Sequence, residues 1–254
     1  MPEARMKTFK RILRQSALGA RLIAVRSQWR DGRHRRKMQR FYAQFIKSGT
    51  LCFDAGANVG NRTEVFRSLG ARVIAIEPQS ACLTRLRERF DLDSDVVIVP
   101  MGLSSAPGTA SLAVSNDSST IASLSPEFRQ KWRWSDKVHW QAEELVELTT
   151  LDELIKRFGI PDFCKIDVEG FEHQVLSGLS QPIRALSFEF NIEFIGQAQE
   201  CIQKLKSLNY RRFNYSTGES MCLDLGEWVG GDQLVQVLKS QNDPLFWGDV
   251  YVSK

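Results

Sequence analysis

Several features that would settle the class of a chain at once are missing here. No run of about 18 uncharged apolar residues occurs, so no membrane-spanning helix is expected. The N-terminus has neither an apolar core segment nor a small-residue cleavage site, so no secretory signal is expected. The five cysteines (Cys52, Cys82, Cys164, Cys201, Cys222) are odd in number, scattered, and never spaced C-x-x-C. Cys52 and Cys164 fall in strand-like apolar runs, and reduced thiols in a cytoplasmic protein are the expectation. No internal repeat is present. What remains is a chain of 254 residues with 43% hydrophobic content, enough for one large α/β domain with an extension.

The modest net charge of +4 conceals an asymmetry. Residues 1–47 hold 14 Lys/Arg against 2 Asp/Glu, a net of +12, whereas residues 48–254 hold 20 against 28, a net of −8. Residues 5–30 read as a basic helix with a loose apolar stripe (Phe9, Ile12, Leu13, Leu18, Leu22, Ile23, Val25, Trp29), and a second basic helix is predicted from about Arg33 to Ile46. We therefore divide the chain into a basic helical extension, 1–49, and a body, 50–254. The extension can be a helical cap with a solvated basic face. It can also lie on an anionic membrane surface, which would make the protein peripheral to a membrane. Nucleic-acid contact is the weaker alternative, since no aromatic-interleaved binding module accompanies the charge.

From Leu51 onward, strands and helices alternate. Strands are predicted near 50–54, 72–76, 95–99, 163–166, 184–190, 210–215 and 248–252, and helices near 60–69, 79–89, 150–158, 170–178 and 196–208. That order implies a mostly parallel sheet covered on both faces, with its ligand-binding loops along one edge. The stretch 104–149 breaks the alternation and reads as an insert, in which Ala110–Ser115 and Val146–Thr149 can pair as a hairpin. Its Ser/Asn/Asp/Thr-rich part, 115–125, and the cluster Trp132, Trp134, His139 and Trp140 suit a carbohydrate or polyol-like acceptor, or else the tryptophans pack an accessory core.

The most informative run is Leu51-Cys52-Phe53-Asp54-Ala55-Gly56-Ala57-Asn58-Val59-Gly60: a short strand, an acid, a glycine turn, a helix start. Glu77 ends the next strand 23 positions after Asp54, near the roughly 20-residue spacing at which a carboxylate meets a ribose diol. This pattern predicts a nucleoside-containing cofactor. The run argues against NAD or FAD: in G-x-G-x-x-G the second and third glycines would fall where Asn58 and Asn61 stand. The phosphate-loop pattern G-x-x-x-x-G-K-[ST] is absent as well.

A second signal is Cys164-Lys165-Ile166-Asp167-Val168-Glu169-Gly170-Phe171-Glu172, which places Asp167 at the carboxyl end of a short strand. With Asp54–Gly60, Glu77-Pro78, Thr150-Leu151-Asp152-Glu153-Leu154 and Lys165–Glu172, the chain resembles the FkbM-type methyltransferase family over roughly residues 50–190. The resemblance implies a Rossmann-like class I sheet of seven strands, the last antiparallel, and S-adenosylmethionine as cofactor. It also implies O-methylation of a sugar, glycolipid, polyketide or similar small metabolite. N-methylation of an amino acid, peptide or nucleic acid is the rival chemistry, and a cofactor-binding scaffold the rival without catalysis. On this basis Asp54 is expected near the methionine amino group, Gly56, Asn58 and Gly60 around the methionine moiety, Glu77 on the ribose hydroxyls, and Met101-Gly102 beside the adenine.

An alcohol needs a base or a metal to become a good nucleophile. Asp167 is the first choice near the reaction centre. Glu169 lies close enough for mutual repulsion to raise one pKa, and the two could equally share a divalent cation, though no metal ligand set is assigned. His173, one helical turn after Glu169, either faces the same pocket or sits on a helix surface. His139 is a rival base, and Glu189 and Glu193 are candidates to line the site at the next strand end.

Overall fold

The structure is a computed structural model that describes residues 32–115, 122–131 and 140–254. The first predicted basic helix lies outside the described residues. The second is helix α1 (32–42), followed by a turn through Phe45 and Ile46. Seven strands form the main sheet: β1 (Leu51–Ala55), β2 (Arg72–Ile76), β3 (Val96–Val99), β8 (Phe163–Ile166), β9 (Ala185–Asn191), β10 (Arg212–Thr217) and β11 (Trp247–Ser253). Their order across the sheet is β10-β11-β9-β8-β1-β2-β3. β11 pairs antiparallel with both β9 and β10, and the other pairings are parallel. The sheet has the Rossmann-like, mostly parallel seven-stranded order that the resemblance implies, with the last strand inserted in reverse.

Helices α2 (Asn61–Ser68), α3 (Ser80–Phe90), α5 (Leu151–Phe158), α6 (Glu172–Ser177), α7 (Ile195–Ser207) and α8 (Gly231–Lys239) cover the two faces. Side chains alternate along a strand, so each strand serves both layers. Phe53, Ile74, Ile76, Cys164, Ile166, Phe188 and Val250 meet the apolar faces of α5, α6, α7 and α8 in one core. Cys52, Val73, Phe163 and Tyr251 point the other way, into a second core built with α1 and α2. Met38, Phe41, Tyr42, Phe45 and Ile46 belong to that second core, so residues 38–46, grouped with the extension on charge, pack with the body. Phe45 stacks on both Phe163 and Tyr251.

The insert forms a separate four-stranded sheet, β4-β7-β5-β6, from β4 (Gly102–Leu103), β5 (Gly108–Ser115), β6 (Ala122–Ser123) and β7 (Trp140–Thr149), with the short helix α4 (Pro126–Lys131). The expected antiparallel pairing of the two stretches is present, Ala110 opposite Val146, but β6 and α4 lie between β5 and β7 in the chain, so it is not a simple hairpin. Of the tryptophan cluster, Trp132, Trp134 and His139 lie outside the described residues, and Trp140 begins β7. The T-L-D-E-L run has a structural job: Thr150 caps α5 by accepting from the Glu153 N–H at 3.1 Å, and Asp152 accepts from the Ser180 N–H.

Candidate active site

Chain direction through the sheet fixes where the site forms. β1, β2 and β3 run outward in one direction, and the chain then returns to β8 on the other flank of β1. Loops leaving β1 and β8 part at this switch point and leave a crevice at the carboxyl edge. Gly56 and Asp167 meet there. The Asp167 N–H donates to the Ala55 carbonyl at 2.9 Å, and a Cβ on Gly56, whose φ is +80°, would lie 1.8 Å from the Asp167 carbonyl oxygen. Gly56 is therefore required by the approach of the two loops. Gly56→Ala is expected to cost about 2–4 kcal/mol in urea unfolding, since it combines left-handed strain with a backbone clash.

The cleft at this point is walled by Gly56, Asn58, Ile76, Glu77, Pro78, Gln79, Met101, Gly102, Leu103, Leu112, Ala122, Leu124, Asp167, Val168 and Glu169. Six of the residues singled out in the sequence (Gly56, Asn58, Glu77, Gly102, Asp167 and Glu169) thus share one crevice. The insert supplies part of its apolar wall through Leu112, Ala122 and Leu124, which no sequence motif marks. Glu77 is 6% exposed and accepts from the N–H groups of Asn58 (2.8 Å) and Gln79 (2.9 Å). It thereby joins the glycine turn to the start of α3, and each oxygen keeps a lone pair for a further donor. Burial pushes its pKa up to about 7, against the pull of those two amides.

Three expected site residues lie elsewhere. Asp54 points to the α1/α2 face of β1, where it is 1% exposed and accepts from the Thr63 hydroxyl at 2.6 Å. It braces α2 from beneath and does not wall the cleft. Gly60 starts α2 with φ +84°, and its missing Cβ would strike Phe90 and Leu86, so its smallness serves packing against α3. His173 faces a neighbouring groove with Phe171, Glu193 and Gln197, 3.6 Å from Glu200 on α7. It misses the cleft because Glu169 is not helical. Glu169 and Gly170 adopt φ of +55° and +86°, and this left-handed turn resets the direction before α6 begins at Glu172. Glu172 turns inward instead, accepting from the N–H groups of Val168 and Gly170.

That turn is held from the insert side. The Ser123 hydroxyl donates to the Glu169 carbonyl at 2.7 Å, and Phe128 of α4 occupies the space a Cβ on Gly170 would need. Burial, then the charges of Asp167 and Glu172, push the Glu169 pKa up to about 8. Asp167 behaves oppositely. Burial raises its pKa, but the Lys165 charge and hydrogen bond outweigh that and hold it below the usual carboxylate range.

Lys165, quoted in the motif without a role, is the hub of this arrangement. It is 1% exposed and its Nζ donates to Asp167 (3.0 Å) and to Asp249 of β11 (2.9 Å). Glu189 stands opposite Asp249 in register, and burial and the charges of Asp167, Glu169 and Glu172 drive its pKa well up. Among the described residues, no group of three or more His, Cys, Asp or Glu is disposed to hold a metal ion.

This geometry has relatives. The methyltransferase FkbM domain profile matches residues 54–212. The chain belongs to the FkbM methyltransferase family. Among characterised relatives, the hexuronic acid methyltransferase AglP of Haloferax volcanii is 28% identical over 170 residues, which is 65% of each chain. The methyltransferase sdnD of Sordaria araneosa is 28% identical over 163 residues, 54% of this chain and 62% of that one. The match thus spans somewhat less than two thirds of either relative's length. Among solved structures, fibrillarin of Aeropyrum pernix, with S-adenosyl-L-methionine bound, has a TM-score of 0.45 at 8% identity, covering 82% of this chain and 68% of that one. The glycine turn, Glu77 and the Asp167–Gly170 turn all fall inside the matched span.

Proposed function

We propose that this chain transfers a methyl group from S-adenosylmethionine to a hydroxyl of a sugar or similar polyhydroxylated small molecule. The observation that carries this reading is the meeting of Glu77, Asp167 and Glu169 in a single cleft with an apolar wall. The cleft fits a nucleoside. Ile76, Met101, Leu103, Leu112 and Leu124 offer a surface for a base, Glu77 a carboxylate for a diol, and Asn58 and Gly56 a turn for the amino-acid end. Bound there, S-adenosylmethionine supplies a methyl group on a sulfonium, a carbon already activated by its leaving group.

The remaining task falls to the protein. An acceptor O–H becomes O–CH3, so one proton must leave. Glu169 is the better proton acceptor, because a base with a pKa near ambient pH is most effective and the Asp167 carboxylate is held too acidic. Asp167 keeps a fixed negative charge at the edge of the cleft. The acceptor class is supported by the hexuronic acid named for the Haloferax relative. The full chain, given S-adenosylmethionine and a panel of sugars, polyols and amines, should yield a methyl ether identified by mass spectrometry. Methylation of nitrogen alone, or cofactor binding without turnover on any hydroxyl, would refute the reading.

The Glu77 assignment has its own test. Glu77→Gln is expected to weaken binding of S-adenosylhomocysteine by about 10–100-fold in calorimetry, the value of a hydrogen bond to a charged group. Wild-type affinity should rise with pH through about 7, as the carboxyl ionises and becomes the stronger acceptor. Unchanged affinity in the variant would remove Glu77 from the donor site.

A further inference from the structure

The sequence of α1 and the turn after it, residues 32–47, contains six Lys/Arg and no acid. Arg35 pairs with Glu64 at 2.7 Å, and His34 lies 3.5 Å from Glu219. The other five cations (Arg33, Arg36, Lys37, Arg40 and Lys47) are exposed and, among the described residues, make no ion pair. This is not for want of carboxylates, since residues 48–254 carry a net −8. At 100° per residue, Arg33, Arg36, Lys37 and Arg40 fall within an arc of about 100° on the helix. Met38, Phe41 and Tyr42 lie on the opposite side, in the core. The helix is therefore fixed in rotation by its apolar face, and the fixed rotation aims a row of uncompensated positive charge at solvent.

Like charges at i, i+3 and i+4 repel one another and destabilise an isolated helix. A packed helix that keeps four of them in one row, with no partner among the described residues of its own acidic body, presents a surface complementary to something external and negative. We infer that this row is a docking surface for an anionic lipid bilayer. The exposed arc carries no aromatic side chain to stack on a base, so it lacks the means to read a nucleic acid. A bilayer needs only charge at the surface, which draws Lys and Arg within a Debye length. The chain just before α1, residues 1–31, adds eight Lys/Arg and the apolar positions Phe9, Ile12, Leu13, Leu18, Leu22, Ile23 and Val25. Among the described residues no helix is long and apolar enough to cross a membrane, and docking through charge requires none. The inference stands apart from the methyl-transfer reading.

The test uses the full chain and a triple variant, R36Q/K37Q/R40Q, in co-sedimentation with vesicles of phosphatidylcholine alone or with phosphatidylserine. The wild type should bind only the anionic vesicles, and raised salt should release it. The variant should bind them roughly a hundredfold more weakly, with an unchanged circular dichroism spectrum as the measure of an intact fold. Equal binding by variant and wild type, binding indifferent to lipid charge, or no vesicle binding by the wild type would each overturn the inference. So would a variant that loses oligonucleotide binding while keeping the vesicles, since the surface would then belong to a nucleic acid.

Discussion

Replacing Glu169 with glutamine is expected to lower kcat by roughly two to four orders of magnitude, the usual loss when a general base is removed. Affinity for S-adenosylhomocysteine should stay within a few-fold of wild type. The substitution is conservative in shape, and the left-handed conformation at 169 is imposed by the turn and not by the carboxylate. The pH profile gives a sharper readout. With Glu169 pushed up to about 8, wild-type kcat should climb as pH rises through that value, because the ionised form accepts the proton. Asp167→Asn removes one of the charges that raise it, so the rising limb should move to lower pH in that variant. If Asp167→Asn instead abolishes turnover and Glu169→Gln spares it, the two roles must be exchanged.

Lys165→Met should produce the largest loss of stability of any single change at the site. The ammonium is fully buried between Asp167 and Asp249, with Glu189 adjoining. Removing it leaves carboxylates of one sign in a poorly solvated layer, which we expect to cost about 3–5 kcal/mol in urea unfolding. Part of this would be recovered at low pH, where the orphaned carboxyls take up protons. The double variant Lys165→Met/Asp249→Asn should be more stable than Lys165→Met alone, because it removes one uncompensated charge. If the double variant is the less stable of the two, the destabilisation comes from lost packing and not from unpaired charge.

Much of this site was legible in the order of residues. Parallel strands buried on both faces read as continuous apolar runs, so Leu51–Ala55 and Arg72–Ile76 could be placed closely, and with them Gly56 and Glu77 at their ends. Two things escaped. Asp249 lies in the reversed last strand, and only the antiparallel register sets it beside Lys165 and Glu189, some 60–85 positions away in the chain. Side-chain direction escaped as well. Asp54 sits one residue from Ala55 at a strand end, and a period of two turns it to the α2 side. His173 was misplaced because helical spacing was counted across Glu169 and Gly170, which are not helical. Helix α8 was not among the predicted helices; it starts at Gly230-Gly231, with no capping side chain to mark it.

The hydrogen bond from Ser123 to the Glu169 carbonyl, with Phe128 wedged against Gly170, has a practical consequence for redesign. The segment that would greet the acceptor also clamps the peptide bearing the proposed proton acceptor. Exchanging this segment for that of a relative, in the hope of importing a new specificity, would shift Glu169 at the same time. On that reading selectivity and rate would be geared to a common part, and the donor side would be disturbed too, since Leu124 of the same segment walls the cleft beside Glu77.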